Sequence, residues 1–200
     1  MRDAATISIA APQEAPWRLP YRGTVGMVCL IVAESAIFLI FVVAYIFYIG
    51  KSLTGPQPRD VLQLPVFATI CLLASSLTIH VAVKLLRAGR VFSFGLSWLL
   101  TVVLGAIFLV ATLREWHHLI YDDRLTIQTN LFGTTYYSLV GLHAFHVTVG
   151  LLALLTVLAL TLRGNVGIQH AARAAVLSMY WHFVDVVWVV VFVVVYVIGR

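Results

Sequence analysis

Five stretches of this chain are almost unbroken runs of apolar residues, at about 24–49, 65–87, 92–113, 131–162 and 172–198. Each is long enough to cross the hydrocarbon core of a bilayer as a helix, which takes about 20 residues. The pattern predicts an all-α fold: a polytopic membrane helix bundle with five transmembrane helices. The polar segments between the runs are short. Residues 50–64 hold Gly55, Pro56 and Pro58, residues 88–91 are little more than a turn, and residues 163–171 carry Gly164, Asn165 and Gly167. The longest polar connection, 114–130, carries Glu115, His117, His118, Asp122, Asp123 and Arg124. Residues 1–23 contain Pro12, Pro16 and Pro20 with scattered charges and no apolar run of a signal peptide. They read as an irregular tail ahead of one membrane domain at 24–200.

Composition agrees with this class. The chain is 62% hydrophobic and 10% charged, against about 25% charged residues in a soluble domain, and its mean hydropathy is +1.00. The net charge of +5 therefore belongs to loops beside a membrane and does not point to nucleic acid. Cys29 and Cys71 both fall inside apolar runs, with neither a disulfide framework nor zinc spacing, and read as small buried hydrophobes. The tail and even-numbered loops carry Arg2, Arg18, Arg22, Lys84, Arg87, Arg90, Arg163 and Arg173. Lys51, Arg59, Arg114, Arg124 and Arg200 lie on the other side. Eight cations against five place the N-terminus in the cytoplasm and the C-terminus outside. Trp17, Tyr21, Trp116 and Tyr121 sit where rings favour the headgroup zone.

A few polar groups interrupt the apolar spans. At about 1.5 Å of rise per residue, Glu34 of the first span, His143 and His146 of the fourth, and His182 and Asp185 of the fifth fall in one layer near the membrane centre. His143/His146 and His182/Asp185 are each three residues apart, so each pair shares a helix face. Gly141, Ala144 and Gly150 around the two histidines let helices approach closely. Ionisable groups at such depth face protein, water or a partner, and the inference is a polar seam between helices. Three readings of the seam compete: a hydrogen-bonded network that fixes packing, a proton or ion relay, and a metal or haem site built from His143, His146, His182 and Glu34.

Several motifs resemble subunit III of the haem–copper respiratory oxidases. The block from Tyr180 through Trp181, His182, Phe183, Val184 and Asp185 to Trp188 is similar to the signature of that family's last helix. The stretch from Phe132 and Gly133 through Tyr136 and Tyr137 to Gly141, His143, His146 and Gly150 is similar to its most recognisable inner motif. Glu34 in the run from Gly26 to Phe38 resembles the family's buried carboxyl, and Leu64-Pro65 followed by Leu72 to Ser76 resembles the start of the next helix. Glu115-Trp116 occupies the place of an acidic–aromatic pair. The likeness covers about 24–198. Five spans match the short bacterial form, which lacks two leading helices. No acid stands in 173–179, where many cytochrome c oxidase members carry a Glu, and this departure leans towards the quinol-oxidase form.

The resemblance implies a non-redox accessory subunit of a proton-pumping terminal oxidase, most directly a cytochrome c oxidase, in the bacterial cytoplasmic membrane. It implies no catalytic residue, metal or other cofactor in this chain, with haem and copper in the partner subunits. Subunit I is the principal partner, with subunit II and a small subunit IV beside it and phospholipids in a helix cleft. Glu34 becomes a buried carboxyl, protonated or hydrogen-bonded, linked to proton uptake and sustained turnover. His143, His146, His182 and Asp185 become a helix-tying network, and Trp181, Phe183 and Trp188 contacts to lipid or subunit I. Subunit III of a quinol oxidase or an accessory subunit of a nitric oxide reductase is the nearby alternative. A stand-alone proton-coupled carrier is the alternative of another class, although the five spans show no clear internal repeat.

Overall fold

The structure is a computed structural model that describes residues 21–52 and 55–199. The expectations for the tail therefore lie outside the described residues, except at its last three positions. Among the described residues, five helices are long and apolar enough to cross a membrane: α1 (Arg22–Tyr48), α2 (Val66–Arg87), α3 (Val91–Tyr121), α4 (Leu131–Leu162) and α5 (Ala171–Phe192). A three-residue 3₁₀ turn, Ile168–His170, leads into α5, and a π-helical segment, Val193–Ile198, ends it. One helical turn, Pro58–Val61, lies in the connection between α1 and α2. No strand occurs among the described residues.

Local chemistry sets the helix ends. Gly89 and Gly164 adopt φ +74°, the left-handed conformation that stops a helix. After each, the following amide reaches back to close the last turn: Arg90 to the Leu85 carbonyl and Asn165 to the Leu160 carbonyl, both at 3.0 Å. At the start of α4, the Asn130 side chain accepts from the Gly133 amide at 2.8 Å, satisfying one of the free amides of a first turn.

One boundary departs from expectation. The third helix does not end near 113 but runs to Tyr121, so the first half of the supposed polar connection is helical. The physical reason is that charges bar a segment from hydrocarbon, not from helix. Leu119 is fully buried in this extension while Arg114, His117 and His118 face outward, so the amphipathic stripe continues past the apolar run. Cys29 is likewise exposed on α1 and not buried as expected, whereas Cys71 is interior.

The arrangement has a centre and an edge. α2 and α3 form a helical hairpin with the most extensive packing in the molecule, and α4 lies against α3. α5 packs on α4, α2 and α1, whereas α1 packs mainly on α4, α5 and the π-helical segment that ends α5. Half of the apolar window of α5 is buried, against 11% for α1. The polar groups expected to meet are thus carried by the hub helix and its neighbours.

Candidate polar site at the helix interfaces

The expected seam resolves into two hydrogen-bonded groups. In the first, Glu34 Oε2 on α1 lies 3.1 Å from His146 Nε2 on α4. The other ring nitrogen, Nδ1, is 2.8 Å from the Leu142 carbonyl, which only accepts, so Nδ1 carries a proton and donates. The Glu34–His146 contact then requires one further proton, on the carboxyl or on Nε2. The pair is thus a site that holds a single proton between two helices. Phe38 packs on the His146 ring at 5.0 Å, and the Tyr180 hydroxyl of α5 donates to the His146 carbonyl at 3.2 Å.

The second group joins α5 to α2. The Ser76 hydroxyl donates to Asp185 Oδ2 and lies 2.8 Å from His182 Nδ1. A hydroxyl has one proton to give, so Ser76 receives its second bond from His182 Nδ1–H. That leaves Nε2 as the acceptor for the Ser178 hydroxyl, 3.2 Å away. Two further bonds run along the same interface: Trp181 Nε1 to Ser75 Oγ at 2.8 Å and Trp188 Nε1 to Thr69 Oγ1 at 3.1 Å. Among the described residues no hydrogen bond joins the two groups.

His143 belongs to neither. It is fully buried, and neither ring nitrogen makes a hydrogen bond. Its ring stacks on Trp188 at 5.0 Å and meets Phe108 edge-on at 5.8 Å, with Phe38 at 6.5 Å. The expected membership of His143 in a hydrogen-bonded tie is therefore corrected: the three-residue spacing gives it the same general face as His146, but the turn between them places it among rings. Trp181 and Trp188 are interior too, at 0% and 1% exposure, so within this chain they are core and not surfaces offered to lipid or a partner. Phe183 is half-buried and lines a groove of about 270 Å³ between α1 and α5, with Ser35, Phe38 and Val187.

A third polar group escaped notice in the sequence. Glu115 accepts from the Tyr196 hydroxyl at 2.9 Å, and Tyr196 and Tyr136 share a hydrogen bond at 3.3 Å. The signal available was Glu115 and Tyr136 in the family-like motifs, but Tyr196 sits in a run of valines and is brought near only by the fold. Similarly, Ser75 and Ser76 were visible as a motif, but not as partners of Trp181, His182 and Asp185.

These groups tie helices to one another through hydrogen bonds. Both ring nitrogens of His146 and of His182 are already engaged. Among the described residues, no group of three or more His, Cys, Asp or Glu side chains is set around a common point.

Comparison of the sequence with known proteins identifies its relatives. A family profile described as cytochrome c oxidase subunit III matches residues 21–200. Cytochrome c oxidase subunit 3 of Alkalihalophilus pseudofirmus is 36% identical over 83% of this chain and 82% of that protein. Its counterpart from Synechocystis is 37% identical over 86% of this chain and 74% of its own length. Subunit 3 of the cytochrome bo(3) ubiquinol oxidase of Pseudomonas aeruginosa is 32% identical over 88% of this chain and 84% of its own length. The five apolar helices and these likenesses together show that the chain belongs to the cytochrome c oxidase subunit III family and is an integral-membrane accessory subunit of a terminal oxidase.

Proposed function

We propose that this subunit carries no redox centre and serves a bacterial cytoplasmic-membrane oxidase by packing on subunit I beside subunit II, with a small subunit IV at its side. In this reading the N-terminus is cytoplasmic, haem and copper reside in the partners, and the subunit supports proton uptake and sustained oxygen-reducing turnover. The observation that carries the proposal is the Glu34–His146 pair, 3.1 Å apart across two helices and committed to one proton. The α1–α5 groove beside it, lined by Phe183, supports a phospholipid chain as an integral filler. Cytochrome c is the proposed electron donor, in keeping with relatives named as cytochrome c oxidase subunits. The Pseudomonas aeruginosa relative, a ubiquinol oxidase subunit, favours quinol as the second reading.

The test is mild-detergent purification of the tagged chain from its native membranes, with a reduced-minus-oxidised spectrum. Haem in proportion to larger subunits is expected. Haem a with a binuclear copper signal indicates cytochrome c as donor, and haem o or b without that copper indicates quinol. A colourless chain that purifies alone would overturn the proposal.

A further inference from the structure

Glu115 stands between two different surroundings. On one side it borders a cavity of about 370 Å³ between the start of α2 and the extended end of α3. Leu64, Val66 and Leu119 belong to its apolar walls, and Gln63, Arg114 and His118 give it a polar rim. Gln63 lies in the connection before α2, and residues 114–118 lie past the apolar run of α3. The cavity therefore opens at the interfacial level of the membrane, where water is present. On its other side, Glu115 Oε1 accepts from the buried Tyr196 hydroxyl at 2.9 Å. A hydroxyl has one proton to give, so Tyr136 is the donor in its 3.3 Å bond with Tyr196. The bonds run in one direction, from Tyr136 through Tyr196 to the carboxyl. No cation pairs with Glu115 among the described residues.

The backbone is shaped to make this contact. Tyr196 stands eight residues beyond Trp188, and a continuous α-helix would carry it about 80° past the Trp188 face. The π-helical segment Val193–Ile198 fits more residues into each turn and takes up that excess. The two rings accordingly lie 6.3 Å apart, and the Tyr196 hydroxyl reaches α3. Such π-helical turns are rare and frequently mark functional sites.

We infer that Glu115 is a proton-exchange site on the side of the membrane opposite the start of α1, open to water through the α2–α3 cavity, with Tyr196 and Tyr136 as its positioning residues. The transfer is from hydronium in the cavity to the carboxylate, giving the acid and water, and needs no other reactant. The carboxylate is stabilised by the hydroxyl of Tyr196, and the acid accepts the same bond at its carbonyl oxygen while the other oxygen carries the proton. The titratable groups around it are Tyr136 and Tyr137 from α4, Tyr196 from the end of α5, and Arg114 and His118 from α3 itself. The start of α2 brings none to the cavity. The site shares no residue with the Glu34–His146 pair. It rests on the oxidase reading only in that the intact complex is what is purified.

The experiment titrates the purified complex by difference infrared spectroscopy, in water and in heavy water, following the carboxyl C=O stretch. Subtracting Glu115→Gln from the wild type should isolate one protonated-carboxyl band that grows on acidification and shifts down in heavy water. Tyr196→Phe removes only the donor and should keep that band at a higher frequency. Ala111→Phe fills the cavity, leaves every titratable group in place, and should slow the hydrogen–deuterium exchange of the band. A titration in which Glu115→Gln loses no band overturns the inference. Exchange at equal rates in the wild type and Ala111→Phe does the same. Where Glu115→Gln fails to assemble, Glu115→Asp takes its place. It keeps an acid but withdraws it from Tyr196, so the band should move as in Tyr196→Phe, and an unmoved band refutes the assignment. A wild-type chain that purifies without haem refutes the oxidase reading, while the same titration on that chain still decides the proton site.

Discussion

At the level of single residues, one hydroxyl organises the α2–α5 interface. Ser76 donates to Asp185 and accepts from His182, so the geometry needs an acceptor at 185 but not a charge. Asp185→Asn keeps that acceptor and should retain the subunit in the complex. Asp185→Leu removes the acceptor of the part-buried Ser76 hydroxyl and should cost about 1–3 kcal/mol, read as a lower thermal midpoint and loss of the subunit on purification. Equal retention of the two variants would remove the tie. His143 makes the opposite forecast. Surrounded by Phe38, Phe108 and Trp188 with neither ring nitrogen bonded, it should accept replacement by Phe with an unchanged or higher thermal midpoint, since a buried polar group without partners costs free energy. A clear fall would expose a partner for the ring. For Glu34, the proposed proton-holding role separates activity from assembly. Glu34→Ala should leave subunit proportions intact yet alter oxygen-reduction rate or its decay during turnover. Kinetics indistinguishable from wild type would end that role.

Between elements, the decisive packing object is Trp181. Its indole fits against two glycines of different helices, Gly105 on α3 and Gly150 on α4. A methyl group at either would fall 2.9 Å from the ring. The indole N–H then reaches Ser75 on α2. One side chain of α5 thus contacts three other helices, which explains why α5 is the hub. Gly150→Ala should cost about 1–3 kcal/mol through overpacking, visible as a lower thermal midpoint of the complex. The same change in a Trp181→Phe background should cost less, because the smaller ring leaves room; an undiminished cost would show that the glycine serves something else. The glycines' importance was legible in the fourth span, where Gly150 flanks the histidines. The role of Gly105 was not, because nothing in an apolar run tells which small residue will face a tryptophan some seventy positions away. The end of α3 lies beyond its apolar run for a related reason. Hydropathy reports where hydrocarbon ends, whereas the helix continues as long as a buried stripe, here ending in Leu119, holds it to the bundle.

For the whole molecule, the proposed orientation makes a direct forecast. With Cys29 and Cys71 replaced by Ala, a cysteine at Asn165 should react with a membrane-impermeant maleimide only in inside-out vesicles, and one at Gln128 only in right-side-out vesicles. The reverse pattern would invert the subunit. Membrane residence, the number of spans and the family were all determined by sequence, because burial in lipid is specified by local composition and length. The oxidase-like motifs likewise named many residues of the polar groups, though not Tyr196. Tertiary structure alone decided how those residues pair. Glu34 meets His146 and not His182, His143 is enclosed by rings, and Tyr196 reaches Glu115. A helical face spans about a third of the circumference, so spacing places a residue towards the bundle without choosing its partner. That choice depends on which helices touch and on how they are rotated against each other. Both are set by contacts far apart in the chain, such as Trp181 between Gly105 and Gly150.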